Sequence, residues 1–105
     1  MSEQEVLQSI YTQLSKVFKV EKMILFGSRA KGTATVDSDY DVFVVAESDI
    51  PFGQRQGAAR IALGPRNFPL DLLVYTPDEA REGRGLFGSI VYIAELEGKV
   101  FYAEA

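Results

Sequence analysis

The run "DYDVFVVA" (Asp39 to Ala46) makes the strongest demand on the fold. It is rich in Val and Phe, which suit a pleated, buried surface, and it is the clearest strand in the chain. Two other short apolar runs read the same way. "KMILF" (Lys22 to Phe26) is ended by Gly27, and "FPLDLLVY" (Phe68 to Tyr75) is followed by Thr76-Pro77. "KVFYA", near the C-terminus, reads as a final edge strand.

Helical patterns fill the spaces between. Ser2 followed by Glu5 forms a capping box, and Val6, Ile10, Leu14 and Val17 recur at helical spacing, which predicts a helix over Glu3 to Phe18. "SRAK" fits one helical turn, and "GTATVDS" is a loop. Ser48, Asp49 and Pro51 signal a helix that runs to Gly64, weakened by Gly53 and Gly57. Thr76, Pro77 and Glu79 form a second capping box, broken by "GRG". "LFGSIVYIAELEG" (Leu86 to Gly98) is an apolar helix, with Leu86, Ile90, Ile93 and Leu96 expected mostly in the core. The order implies an α/β protein of the α+β type, a small mixed sheet flanked by helices, as a single domain over residues 1–105.

Composition narrows the chemistry. There is no cysteine and no histidine, so disulfides, thiolate chemistry, Ser-His-Asp catalysis and imidazole-bound metals are excluded. Any metal must sit on oxygen ligands, which points to magnesium, calcium or manganese. The net charge is −4 and the eleven basic residues are scattered, which argues against an extended nucleic-acid track. No apolar run reaches the length of a membrane span, and "MSEQEVLQ" is not a signal peptide, so a cytoplasmic location is expected.

The stretch "LFGSRAKGTATVDSDYDVFVV" carries the chemistry. It is not a Walker loop, because Lys31 precedes Gly32 instead of following it. It is not a dinucleotide fingerprint either, since position 29 is Arg. What remains is a strand, then Gly27-Ser28, then a helical turn. Such a turn can bring amides and a hydroxyl to a phosphate, with charge from Arg29 or Lys31. It can equally be an ordinary strand-to-helix turn. Asp39 and Asp41 alternate, so both carboxylates point the same way. Two such charges repel, and a divalent cation relieves them; a solvated strand end is the alternative. Asp71 interrupts an apolar strand, where a carboxylate is costly unless paired or metal-bound. It either meets Arg29 or Arg66, or it joins Asp39 and Asp41 in a three-carboxylate cluster able to hold two magnesium ions and act on a triphosphate.

The combination of Phe26-Gly27-Ser28, ten intervening residues and Asp39-Tyr40-Asp41 resembles the signature of the DNA polymerase beta-like nucleotidyltransferase superfamily. The strings "GSRAKG…SDYDVFV", "PLDLLVYTPDEAREGRG" and "IAELEGKVFYAEA" resemble its minimal nucleotidyltransferase domains, over nearly the whole chain. The resemblance implies a nucleotidyltransferase fold, with Gly27 and Ser28 at the nucleotide phosphates and Asp39 and Asp41 on Mg²⁺. Asp71 matches the third acidic position, as a metal ligand or the base for the acceptor hydroxyl, and Arg29 matches a basic position. The implied reaction moves AMP from ATP to a hydroxyl with release of pyrophosphate.

Minimal members resemble the antitoxin halves of two-gene modules. This implies a small helical HEPN-type toxin as partner, with one of its tyrosines as acceptor. The short chain leaves little to build an acceptor pocket, so another subunit or protein is expected to hold the acceptor; a homo-oligomer is one such arrangement. Two alternatives stand beside this reading. One is a non-catalytic binding module that neutralises its partner by contact. The other is a nucleotidyltransferase acting on a small molecule such as an antibiotic.

Overall fold

A computed structural model describes residues 2–66, 68–86 and 88–104. The helix α1 (Glu3–Leu14) begins at the Ser2/Glu5 capping box and buries Val6, Leu7, Ile10 and Leu14. It stops four residues short of Phe18. The Phe18 amide bonds back to the Leu14 carbonyl at 2.8 Å and its ring enters the core, while Val17 is left exposed. Strand β1 (Lys19–Phe26) starts three residues before the apolar run, because Lys19 and Val20 pair with Glu47 and Ala46 before a bulge. The short helix α2 (Ser28–Lys31) follows at once, closed by Gly32 in the left-handed region.

Strand β2 (Tyr40–Glu47) is succeeded by α3 (Phe52–Leu63) and β3 (Leu70–Tyr75). The Gly-containing α3 is held by its contacts to β3. Gln56 Nε2 donates to the Leu72 carbonyl, and its Oε1 accepts from the Val74 amide at 3.3 Å. This also occupies part of the open edge of β3. The Thr76 box starts α4 (Pro77–Arg84), which runs through Gly83-Arg84 and ends at Gly85. Ser89 then caps α5 (Ile90–Glu97), and β4 (Lys99–Ala103) forms the sheet edge.

The sheet order is β3-β2-β1-β4, with β2 and β3 parallel and the other pairs antiparallel. It is a small mixed sheet with α+β architecture, as the pattern of runs predicts. The α3 crossover is what allows β2 and β3 to lie parallel. Alternation along β2 serves two layers. Val42, Val44 and Ala46 pack with α1, while Phe43 and Val45 pack with Ala80 of α4 and Val91 and Ala94 of α5.

The expectation for α5 is corrected here. Val91 and Ala94 are its buried positions and the half-buried Ile90 packs against the same core cluster as expected, whereas Ile93 is half-buried and Leu86 is 62% and Leu96 68% exposed. The helix is also shorter at its start, with Leu86 in the preceding turn; Phe87 lies outside the described residues. The apolar pattern ran all round this segment, so it could not show which stripe would face the sheet.

Candidate active site

Three residues line up across the sheet at one level. Phe26 on β1 pairs with Asp41 on β2, and Asp41 pairs with Asp71 on β3. Partners in register point to the same face, so Asp41 and Asp71 stand side by side on the face that carries Phe43 and Val45. Asp39, two residues before Asp41 and one before the strand begins, shares that side. Asp41 is half-buried, while Asp39 and Asp71 are exposed.

The exposure of Asp71 corrects the expectation of a buried carboxylate. In β3 the buried positions are Leu72 and Val74, which face α1 and α3, and Asp71 belongs to the other face of an edge strand. Neither of the alternative salt bridges forms among the described residues. Arg29 pairs with Glu3 at 3.9 Å, and no ion pair joins Arg66 to Asp71 among the described residues.

The electrostatics follow from this row. Partial burial pushes the Asp41 carboxyl above its usual range, and the like charges of Asp71 and then Asp39 push it further. None of the three carboxylates meets a cation or accepts a side-chain or backbone hydrogen bond among the described residues. They form a row and not a closed cage: no three acidic side chains among the described residues converge as they stand on a single ion. The donor set is all oxygen, partly desolvated and self-repelling, which suits a hard divalent cation.

Gly27 sits against this row. Its φ of 72° is in the left-handed region, and a Cβ there would collide with the Asp41 Oδ2, with Cγ only 3.0 Å away. Ser28 begins α2, and the Ala30 and Lys31 amides both bond to the Gly27 carbonyl at 3.1 Å. The Ser28 and Arg29 amides precede these first intrahelical bonds, at the end of the turn that favours anions.

Arg29 turns toward the loop that precedes β2. Its Nε and Nη2 donate to the Ser38 carbonyl at 3.2 and 3.0 Å, and Nη2 also reaches the Thr35 carbonyl at 3.5 Å. The guanidinium lies 3.9 Å from the centre of the buried Tyr40 ring. It therefore braces the loop that delivers Asp39. Lys31 pairs with Glu97 of α5 at 2.9 Å.

Sequence reading did not single out Gln56 and Arg60, which share a small cleft with Arg66 and Asp71. Their signal was present as i, i+4 spacing on one face of α3.

The chain belongs to the nucleotidyltransferase domain family, whose sequence profile matches residues 7–65. No curated protein matches it. Among solved structures it is similar to a toxin-antitoxin structure with AMP-PNP, at 23% identity and a TM-score of 0.58, covering 97% of this chain and 74% of that one. It is also similar to a mutant of the toxin-antitoxin MntA-HpeT, at 17% identity and a TM-score of 0.59, covering 98% of this chain and 74% of that one. At these identities the likeness shows a shared fold.

Proposed function

We propose that the protein is a Mg²⁺-dependent adenylyltransferase that moves AMP from ATP to a tyrosine hydroxyl of a small helical HEPN-type toxin, and so acts as its antitoxin. One observation carries this reading: Asp71, Asp41 and Phe26 stand in register, so the two carboxylates lie beside the Gly27-Ser28 turn. The toxin-antitoxin structure with AMP-PNP supports it, since AMP-PNP is an ATP analogue. The MntA-HpeT mutant supports the choice of module.

In this reading Gly27 and Ser28 present amides and a hydroxyl to the triphosphate, and Arg29 holds the loop that places Asp39. Asp39 and Asp41, with Asp71, would hold two Mg²⁺ ions. When bound, those ions supply charge neutralisation at the attacking and leaving oxygens of an in-line displacement. The accepting oxygen bonds to the α-phosphorus as the bond to the bridging oxygen breaks and pyrophosphate leaves. Asp71, exposed on the open side of the row, takes the hydroxyl proton, a role that falls to a carboxylate in a chain without histidine.

The test is intact-mass analysis of the partner after incubation with this protein, ATP and Mg²⁺. One added adenylyl group is expected, and Asp39→Ala with Asp41→Ala abolishes it. Transfer that survives the double substitution removes the site assignment.

A second reading, neutralisation by contact, is favoured by the exposed apolar side chains Leu86, Leu96 and Val100. A double aspartate variant that still suppresses the partner's toxicity in cells would select it.

A further inference from the structure

Four of the six arginines are neutralised by a carboxylate. Arg29 meets Glu3, Arg55 meets Glu79, Arg81 meets Asp78 and Arg84 meets Glu95. Arg60 and Arg66 have no hydrogen bond or ion pair among the described residues, and both line one cleft. That cleft lies between α3 and the outer edge of β3, and Asp71 is part of its wall. In a chain of net charge −4, two unneutralised guanidiniums at the outer edge of β3, on the α3 side of the strand that carries Asp71, are a local feature, not a general basic surface.

The size of the cleft selects its ligand. Its volume is about 80 Å³. Two or three waters occupy such a space at about 30 Å³ each, and whole-ligand pockets start near ~300 Å³. The cleft itself takes one carboxylate or phosphate group, with the rest of its ligand outside. Both anions accept the paired hydrogen bonds of a guanidinium fork. Gln56 is not available as a donor here, because its amide is tied to Leu72 and Val74.

Position says which reactant brings the anion. The Gly27-Ser28 turn flanks Asp41 on the β1 side, and the cleft lies beyond Asp71 on the opposite side. This step rests on the nucleotidyl transfer proposed above: with the triphosphate at the turn, the group in the cleft belongs to the acceptor. We propose that Arg60 and Arg66 form an acceptor subsite that grips an anion, a carboxylate or a phosphate, next to the accepting hydroxyl of a peptide. Two arginines with no basic track beyond them favour a peptide over a nucleic acid.

The test uses the full chain and three short tyrosine peptides, in the absence of nucleotide. The tyrosine is flanked by glutamate in the first, phosphoserine in the second and glutamine in the third. Binding is followed by NMR through the arginine Nε–H signals and the backbone amides. The glutamate or the phosphoserine peptide is expected to move the Arg60 and Arg66 signals, and whichever binds more tightly names the anion. The glutamine peptide leaves them in place. Arg60→Gln with Arg66→Gln weakens binding about tenfold. Arg60→Lys with Arg66→Lys recovers only part of it, because an ammonium lacks the fork. Both side chains are exposed, and unchanged core amide shifts report an intact fold.

Equal binding of all three peptides, no binding of either anionic peptide, or binding unaffected by the glutamine variant overturns the proposal. So does an oligoribonucleotide or ATP that moves these arginine signals in preference to the peptides. Peptide binding by a protein that leaves the partner unmodified with ATP and Mg²⁺ keeps the anion subsite and removes the transfer reading. AMP transfer at equal rates to all three peptides does the reverse.

Discussion

The Asp41 carboxylate occupies the space into which a side chain at residue 27 would project. Its Oδ2 would be in collision with any Cβ there, with Cγ at 3.0 Å and Cβ at 3.3 Å. The glycine of the turn and the central acid of the row are therefore one unit of packing, contributed by neighbouring strands paired at Phe26 and Asp41.

Gly27→Ala is expected to fail on two counts. A left-handed φ of 72° is strained for alanine, at about 1–2 kcal/mol, and the new methyl must displace Asp41. A carboxylate moved by an ångström costs transfer about 100-fold. Urea unfolding and the mass assay for AMP transfer check the two effects separately. Full transfer by the variant would show that Gly27 does not place Asp41.

Asp41→Asn is expected to stabilise the metal-free protein while abolishing transfer. Burial, Asp71 and Asp39 raise the Asp41 pKa in the folded state. The folded chain then holds this proton more tightly than the unfolded one, so stability falls as pH rises from the ordinary aspartate range through the raised value. Asparagine carries no charge to repel. Thermal melts in chelator should show the variant a few degrees above the parent at neutral pH, with the gap closing once Asp41 is protonated in both states. Added Mg²⁺ should raise the melting temperature of the parent and not of the variant.

The central elements were legible because their signals are local. The capping boxes at Ser2 and Thr76 are both realised, and the Val/Phe run of β2 is buried as read. Parallel pairing of β2 with β3 put Asp71 next to Asp41, which spacing in sequence could suggest only through the fold. Other features depend on partners distant in the chain. The burial of Val91 and Ala94 in place of Ile93 and Leu96 is decided by which stripe meets Ile24 and Phe43. The exposure of Asp71 is decided by β3 being an edge strand. The stacking of Arg29 on Tyr40 needs eleven residues of chain to fold back, and no periodicity announces it.

Arg55→Met tests the one buried charged side chain among the described residues, at 3% exposure. Its guanidinium donates to the Ile50 and Val74 carbonyls and meets Glu79. Removing it takes the cation from Glu79 and leaves two carbonyls without their side-chain donor, at about 3 kcal/mol. A pH signature accompanies the pair. Burial pushes Glu79 up, but the bonds from Arg55 and the Thr76 amide outweigh it and hold the carboxyl below its usual range. Its contribution is present above the unfolded-state glutamate pKa and is lost as pH falls through the lowered folded value. Urea midpoints measured down to acid pH should decline through that window in the parent, and the decline should be smaller in Glu79→Gln.

Arg29→Lys separates bracing from phosphate binding. A lysine keeps the charge but cannot donate in a fork to Ser38 and Thr35 or lie flat on Tyr40. With the loop loosened, Asp39 is less well placed, while the Gly27-Ser28 turn is untouched. The Mg²⁺ concentration for half-maximal transfer should rise severalfold, with the KM for ATP nearly unchanged and core stability within about 1 kcal/mol of the parent. A rise in the KM for ATP at an unchanged Mg²⁺ requirement would instead place the guanidinium on the triphosphate. Steady-state rates across a grid of Mg²⁺ and ATP concentrations distinguish the two outcomes.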